Sequence, residues 1–511
     1  MLLITELKLN LNDDISKLKT LISKRLHIKD IPFTYEIHRK SIDSRKDIIF
    51  SYQVLVTIEN EDKYLSHKGV TKYSKTNLKP KKVITNKRPI IIGYGPAGIF
   101  ASYRFIEAGI KPIIIEKGKR IKEREKDVER FFNEGILNPK SNIQFGEGGA
   151  GTFSDAKLTT RIKNPFIEYI LDIFIKHGAD PSIKYEAHPH IGTDEIRKII
   201  ERITNYMISC GADFHFEEEV KEFVITNNKL EKIVTDKNEY SSDYYLLGVG
   251  HSAYPTIKNL FDNGVHIEPK DISIGFRVEH PQSLIDDNQY HGIKSNKLEH
   301  SEYFLTHNDI RGVYSFCMCP GGIVVPATSE ENRVVTNGMS YASRNSGIAN
   351  SAILVQVRKE EYANHPLAGF DYLKQIEEKA YNVSSSYKAL SQNIKDFIED
   401  KENELIFKST YPLNTVNYNF NHFFNKTQCE CLKRAFIEFD KKIPGFIDSG
   451  ILVGPETRSS CPIRILRSEN YESINTSSLY PMGEGAGYGG GIISCALDGI
   501  KVSDFIINNI K

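Results

Sequence analysis

The sequence contains no run of about eighteen apolar residues, the length that a helix needs to cross a bilayer. Residues 1–14 alternate apolar and polar side chains and carry acids early, whereas a secretory signal has a basic start followed by a continuous apolar stretch. The seven cysteines are an odd number scattered along a long chain, which does not suit a disulfide framework. We therefore expect no membrane span, a cytoplasmic location and a reducing compartment.

Metal-binding patterns are also missing. No grouping of cysteine with histidine has the spacing of a zinc site, and two C-x-C pairs, Cys317/Cys319 and Cys429/Cys431, are poor evidence for an iron–sulfur cluster. Residues two apart on a helix point to different faces, so the second pair is interpreted as structural. The sequence predicts no metal site.

Charge is uneven along the 511 residues, a length that predicts two or three domains. Residues 1–85 hold 17 Lys/Arg against 10 Asp/Glu, and residues 63–88 hold nine basic residues and no acid. A basic stretch of this kind could touch nucleic acid, but a solvated linker is the preferred interpretation. The residues before it read as strand 2–11, helix 15–26 and extended runs 33–37 and 48–59, which predicts a small α+β module with a linker ending at residue 87.

A glycine-rich turn follows the linker. Apolar residues 90–92 predict a strand, Gly93-Tyr-Gly95-Pro96-Ala97-Gly98 follows, and a helix through residue 107 leads to a second strand at 113–115. The first glycine permits the sharp turn, the second lets the backbone approach a pyrophosphate, and the third lets the helix pack on the sheet. The N–H groups at the helix start can then bind the anion.

An acid closes the second strand. Glu116 lies 23 residues after Gly93 and can accept both hydrogen bonds from an adenosine ribose. Its charge argues against a 2′-phosphate, and hence against NADP in this position, although the cation Lys117 lies beside it. The turn, strand, helix and acid together predict a dinucleotide-binding fold.

Two later segments distinguish FAD from NAD, because FAD is longer and needs more of the chain. Residues 144–154 form a glycine-rich loop able to bring backbone N–H groups to a phosphate or to the flavin edge, with Gly148, Gly149, Ala150 and Gly151 at its centre. Residues 479–491 form a second such loop, which leads into an apolar helix over 492–507.

These segments resemble the FAD-dependent oxidoreductases that share the glutathione reductase and hydroxybenzoate hydroxylase type of FAD domain. The resemblance covers residues 88–260 and 450–511. It implies that Glu484, after Gly483, binds a ribityl hydroxyl, and that the helix start at Gly490, Gly491 and Ile492 faces the flavin pyrimidine. It also implies that Val220 meets adenine and that residues 247–250 are a strand-end motif closed by Gly250.

A closer resemblance covers nearly the whole chain. The segments that carry it are 148–155, 190–194, 316–322 and 456–458, and they resemble a group of FAD-dependent dehydrogenases. This resemblance implies a cofactor and a fold but names no substrate.

The fold class predicted is α/β: a discontinuous, doubly wound FAD-binding domain of Rossmann type, an inserted α+β substrate domain and the small N-terminal module. The predicted boundaries are 1–87, 88–265, 266–450 and 451–511. Thr193 with Asp194 is predicted to cap a helix that ends near Gly211, followed by extended runs at 214–224, 230–234 and 244–249. Helices at 372–381 and 426–442 are predicted inside the substrate domain.

Catalytic candidates lie outside the glycine-rich loops. Cys317 and Cys319 could relay electrons beside a flavin, or could be small buried hydrophobes. Arg277 and Glu279 share one face of a predicted strand and could bind a polar substrate. Three further side chains have two interpretations each: Arg458 and Arg464 could anchor an anionic substrate or form salt bridges at a domain junction, and His251 could contact flavin or cap its turn.

The function predicted is an FAD-dependent oxidoreductase, a dehydrogenase or reductase, acting on an unidentified small-molecule substrate that could be anionic, with an unidentified electron donor or acceptor. Because no second GxGxxG has a usable context, NADH or NADPH would dock transiently at the flavin rather than in a domain of its own. One alternative is a flavoprotein that modifies RNA through the basic module, which lacks the aromatic RNA-recognition motif, so nucleic acid is not the expected partner. The other alternative is an FAD-binding sensor without turnover.

Overall fold

The computed structural model describes residues 1–510 and begins with a small antiparallel module. Its elements are β1 (Leu2–Asn10), α1 (Lys17–Arg25), β2 (Thr34–Asp43), β3 (Ile49–Thr57) and β4 (Val70–Lys72). The sheet order is β2-β3-β1-β4, and alternate residues of β1 and β3 pack on Leu18 and Ile22 of α1. The basic stretch 63–88, interpreted as a linker, is not all linker. It contains β4, which forms the edge strand of this sheet next to β1.

The first part of the dinucleotide-binding domain alternates strands and helices and then adds a small antiparallel sheet. Its elements are β5 (Ile90–Ile92), α2 (Pro96–Ala108), β6 (Ile113–Glu116), α3 (Ile121–Glu134), α4 (Phe166–Lys176), α5 (Thr193–Ser209), β7 (Asp213–Phe216), β8 (Val220–Thr226), β9 (Lys229–Thr235), β10 (Glu239–Tyr240), β11 (Tyr245–Leu247) and α6 (Tyr254–Asp262).

An inserted domain follows and supplies most of the strands. Its elements are β12 (Ile267–Pro269), β13 (Ile272–Pro281), α7 (Gln282–Tyr290), β14 (Thr306–Asn308), β15 (Gly312–Cys319), β16 (Ile323–Pro326), β17 (Thr336–Met339), β18 (Ile348–Val357), α8 (Ala368–Ser384), β19 (Ala389–Asn393), α9 (Ile394–Glu399), β20 (Thr415–Asn417), α10 (Lys426–Lys442) and β21 (Ile451–Glu456). The chain then returns through β22 (Ile463–Ile465), β23 (Leu479–Pro481) and α11 (Ile492–Asn509).

The dinucleotide-binding domain is built on a five-stranded parallel sheet in the order β23-β11-β5-β6-β7. Its strands are short and apolar, as expected for a parallel sheet covered on both faces, and α2 packs along α11. At Gly499 of α11 an added Cβ would lie 2.2 Å from the Ala97 carbonyl oxygen, so the two helix backbones touch. The α/β class predicted from the sequence is confirmed.

The inserted domain has a seven-stranded sheet in the order β14-β15-β18-β13-β21-β19-β20, antiparallel except for the last pair. Since β21 lies in this sheet, the boundary predicted at residue 450 is wrong, and the chain leaves the domain only after residue 456. The short pair β12-β22 then joins the outgoing and returning chain.

Two other local predictions are wrong. The extended run predicted over 214–224 is split between the parallel sheet, which takes β7, and the antiparallel sheet that begins with β8. Thr193 is the first residue of α5 rather than its cap, and its hydroxyl donates to the Thr152 carbonyl at 2.9 Å. Asp194 accepts from the Ala342 amide at 2.8 Å, so both side chains tie α5 to other segments. No helix within residues 1–510 is long and apolar enough to span a bilayer.

Candidate functional site

The turn between β5 and α2 is shaped by two glycines that tolerate no side chain. Gly93 has a φ of +92°, and a Cβ there would lie 2.5 Å from the Gly248 carbonyl oxygen. A Cβ at Gly98 would lie 2.2 Å from the Gly93 carbonyl oxygen. α2 begins after Gly95 with Pro96 in its first turn and has no side-chain cap, so the N–H groups of Ala97 and Gly98 are available to an anion.

The loop at 148–151 packs directly on this turn. Gly148 and Gly149 have φ values of +86° and +65°, and a Cβ on Gly149 would lie 2.8 Å from the Gly95 Cα. Gly151 faces Ile492 at the start of α11, with 3.1 Å between its added Cβ and that side chain. The structure thus brings together three segments that are distant in the chain. The turn and the loop at 148–151 are about fifty residues apart, and that loop and the start of α11 are about three hundred and forty residues apart.

A buried arginine holds this loop. The guanidinium of Arg124, on α3, donates to the carbonyl oxygens of Glu147 at 2.8 Å and Gly149 at 3.0 Å and to the Thr152 hydroxyl at 2.6 Å. Burial lowers the pKa of Arg124 to about 9, and the carboxylates of Glu116 and Glu147 oppose that effect. Sequence reasoning missed this residue, since an arginine in an amphipathic helix carries no motif.

The adenosine end of the predicted site is a cleft lined by Gly93, Glu116, Lys117, Phe145 and Val220. The Glu116 carboxylate accepts backbone N–H groups from Tyr94 at 2.9 Å, Gly118 at 2.8 Å and Gly146 at 3.0 Å, which leaves one free acceptor position on Oε2 for a ribose hydroxyl. Lys117 Nζ lies 3.2 Å from the centroid of the Phe145 ring, and burial lowers the Lys117 pKa to about 8.

The opposite end is lined by the C-terminal segment. Glycines 250, 490 and 491 border open space, because a Cβ on any of them would meet no atom within 4 Å. Gly483 N donates to Asp498 of α11 at 2.8 Å, which fixes the loop on that helix. The Glu484 carboxylate accepts no hydrogen bond in residues 1–510, and burial raises the pKa of that carboxyl to about 7. We call residues 93–98, 148–151, 483–484 and 490–492 the cofactor cradle.

A charged cluster lies where the inserted domain meets the cradle. We call Asp155, Lys157, Glu302 and Arg344 the charged junction. Arg344 Nη2 lies 2.9 Å from Asp155 and 3.2 Å from Glu302, and Lys157 Nζ lies 2.9 Å from Glu302. Three buried atoms, Asp155 Oδ1, Glu302 Oε2 and Arg344 Nε, have no hydrogen-bond partner in the described residues, although Glu302 Oε2 lies 2.9 Å from Lys157 Nζ. Asp155 Oδ1 and Arg344 Nε are therefore an acceptor and a donor that no described residue uses.

Arg277 and Glu279 lie on β13 and are both fully buried. Arg277 pairs with Glu456 of β21 at 2.5 Å and donates to the Cys317 carbonyl at 2.7 Å and to Asn337 Oδ1 at 2.7 Å. Glu279 accepts from the Thr410 amide and hydroxyl. Neither side chain is presented to an open cleft, so the predicted contact with a polar substrate is not what the structure shows; Arg277 braces the segment that carries Cys317.

The cysteines of the inserted domain form a close pair at the end of β15, which we call the thiol pair. Cys317 is partly exposed and has a left-handed φ of +46°, whereas Cys319 is fully buried and its Sγ lies 3.4 Å from the Cys317 carbonyl oxygen. A hydrogen bond from the Cys319 thiol lowers the pKa of Cys317 to about 6, and the cations Arg277 and Lys157 lower it further against the effect of burial. That same hydrogen bond and burial raise the pKa of Cys319.

The remaining candidates lie elsewhere. Arg458 donates to Glu377 at 2.7 and 2.9 Å and to Glu330 at 2.9 Å, which is the salt-bridge network rather than a free anion site. Arg464 is exposed beside the Tyr488 ring. His251 is hydrogen-bonded to Ser252 at 2.9 Å. Burial of its ring, together with the smaller effect of the nearby Arg458 cation, lowers the pKa of His251 to about 3. Among residues 1–510 no cluster of three or more His, Cys, Asp or Glu could hold a metal.

Sequence reasoning missed Lys157, Glu302 and Arg344. They come from three segments that no local pattern connects, and only the packing of the inserted domain on residues 152–157 brings their charges together. The one sequence signal was the placement of Asp155 at the end of a glycine-rich loop.

Two family models match the chain. Residues 271–459 match "FAD-dependent protein, C-terminal domain-like", which covers the inserted domain through β21, and residues 1–57 match a domain of unknown function. The first match supports FAD as the cofactor and agrees with the cradle. It also agrees with a domain end after residue 456 rather than at 450.

Matches among solved structures include a flavin-dependent brominase (12% identity, 83% of this chain and 80% of that chain, TM-score 0.38) and the glycine oxidase of Bacillus cereus (11%, 83% and 96%, TM-score 0.31). We draw no conclusion from TM-scores this low.

Two curated relatives match this chain, one over a short segment and one over nearly its full length. An NADH oxidase of Streptococcus pyogenes is 40% identical over 78 residues, which span only 17% of its length. An uncharacterized protein of Clostridium beijerinckii is 40% identical over 526 aligned residues that include 99% of this chain and 98% of that protein. The chain therefore belongs to the family of the Clostridium beijerinckii protein, and its inserted domain matches that of FAD-dependent proteins.

Proposed function

We propose that this chain is an FAD-dependent oxidoreductase that dehydrogenates or reduces a small molecule where the cofactor cradle meets the charged junction. The observation that carries the proposal is the cradle itself: a β5-α2 turn closed to any Cβ, with uncapped helix N–H groups, beside glycines that border open space at the start of α11. Bound FAD would supply two-electron redox chemistry, and residues 93–98, 116, 148–151 and 484 would hold it.

The charged junction binds and orients the substrate. Arg344 and Lys157 are balanced by Asp155 and Glu302, so a polar substrate of no net charge suits the cluster better than an anion. The free Arg344 Nε donates to the substrate and the free Asp155 Oδ1 accepts from it. Burial raises the Asp155 pKa, which favours Asp155 as the group that takes and returns a proton.

The test is the visible spectrum of the purified protein, recorded without oxygen before and after addition of NADH or NADPH, with release and identification of the flavin. We expect bound FAD that loses its oxidised absorbance with one of the two donors. FAD that stays oxidised would point to a substrate-reduced dehydrogenase or to the sensor, and a chain that binds no FAD would end the proposal.

A further inference from the structure

The thiol pair, Cys317 and Cys319, has no part in the substrate contacts proposed for the charged junction. We propose that Cys317 and Cys319 form a redox-active dithiol that carries two electrons from bound FAD to an external disulfide, with Cys317 as the attacking thiolate and Cys319 as the resolving thiol. This inference rests on the proposed function and names its substrate class.

The backbone of β15 places Cys319 Sγ 3.4 Å from the Cys317 carbonyl oxygen. In a regular strand residues 317 and 319 would point to one face about two residue lengths apart. Between Phe316 and Cys319, however, β15 advances three residues while β18 advances two, from Ala352 to Asn350. Such a bulge adds a residue and re-aims a side chain, and here it places Cys317 in a left-handed conformation that costs a non-glycine residue about 1 kcal/mol.

The surroundings divide the roles. Cys317 is partly exposed and lies near two cations, Arg277 and Lys157, which is the setting of a reactive thiolate. Cys319 has no exposed surface, so an external disulfide can reach only its partner. Asn350 Nδ2 and the Tyr303 hydroxyl, both buried next to the pair, have no hydrogen-bond partner in residues 1–510. These two polar groups could form hydrogen bonds with the oxidised form of the pair or with a bound disulfide.

The electrons and atoms balance over one cycle. The Cys317 thiolate attacks an external disulfide, forms a mixed disulfide and releases one thiolate; Cys319 then loses its proton, attacks Cys317 and releases the second. The external disulfide has gained two electrons, and the pair has become a disulfide. Bound reduced FAD would supply the two electrons and two protons that return the pair to two thiols, and a hydride from a reduced nicotinamide with one solvent proton would replace them.

Three measurements test the relay, with Cys210→Ser as the matched control because Cys210 lies at the end of α5 outside the site. In the first, the FAD-loaded protein, purified in air, is titrated with dithionite without oxygen. The wild type and the control should take up four electrons for each FAD, and Cys317→Ser and Cys319→Ser should take up two. The second needs no variant: trypsin releases residues 312–333 as one peptide that holds both cysteines. That peptide should resist maleimide after air oxidation and accept two labels after reduction.

The third measurement separates the roles, using dithiobisnitrobenzoate in the Cys210→Ser background. The reduced parent should release two chromophores, Cys319→Ser should release one and keep a mixed disulfide on residue 317, and Cys317→Ser should react about tenfold more slowly at neutral pH. Equal electron uptake by all proteins, with both cysteines of the air-oxidised peptide labelled, would overturn the relay while FAD reduction by a nicotinamide left the proposed function standing. Absence of bound FAD would end both.

Discussion

The cofactor cradle and the charged junction lie side by side but are made of different parts of the chain. The cradle is made largely of backbone: most of its glycines have left-handed φ values or touch a neighbouring backbone, and distant side chains such as Arg124 and Asp498 hold its loops in place. The junction and the thiol pair consist of long or reactive side chains from four separate segments. A backbone site leaves local sequence motifs, and a side-chain site does not.

Gly98→Ala should have the largest effect, because it breaks the cradle. Its Cβ would lie 2.2 Å from the Gly93 carbonyl oxygen. Because that oxygen belongs to the backbone of the turn, it can move away only if the turn itself changes shape. We expect the FAD content after purification to fall at least about tenfold, a loss of about 1.4 kcal/mol or more of binding free energy. Flavin absorbance per protein measures it. In the control Gly312→Ala, the new Cβ meets only the ends of two flexible side chains, Asn308 at 3.2 Å and Gln356 at 3.9 Å. An equal loss of flavin in that variant would contradict the argument.

Arg277→Met should come next and acts on the inserted domain. It leaves the Glu456 carboxylate buried without its partner, which typically costs about 3–5 kcal/mol. The urea midpoint of unfolding measures the loss. The double variant Arg277→Met with Glu456→Met removes both charges and should recover much of the stability; a double variant as unstable as the single one would show that the ion pair is not the cause.

Lys157→Met should change the junction without unfolding it. In the wild type, alkylation of Cys317 by iodoacetamide should rise with pH through about 6, since the thiolate forms above its pKa. Removing the Lys157 cation should shift that rise toward pH 7 and slow alkylation at pH 6 about fourfold. Label on the peptide 312–333 gives the rate at this site, and Cys317→Ser gives the background. An unchanged profile would separate Lys157 from the thiol pair.

Most of the fold could be predicted because its elements carry local signals. The glycine turn after 90–92 and the helix 426–442 occur as predicted, the latter with a capping box at Asn425 and Gln428. The errors share a cause. β21 joins a sheet whose other strands lie far away in the chain, and Thr193 and Asp194 have distant partners where a cap was expected. Arg277 and Arg458, similarly, are buried among carboxylates from segments that no spacing rule connects.

Lys117→Met should have the smallest effect. It tests whether the Lys117 cation adds to the FAD affinity of a cradle made largely of backbone. We expect FAD affinity to fall about threefold, ~0.6 kcal/mol, by equilibrium dialysis at neutral pH. Because burial lowers the Lys117 pKa to about 8, the ammonium is present below that pH and is lost above it. Wild-type affinity should therefore weaken between pH 7 and 9 toward that of the variant, whose affinity should stay level. Lys119→Met is the matched control, since Lys119 pairs with Asp127 at 2.9 Å and does not line the cleft. If the variant and the wild type lost affinity in parallel with pH, the cation would have no part in holding the cofactor, and the cradle would bind through its backbone and Glu116 alone.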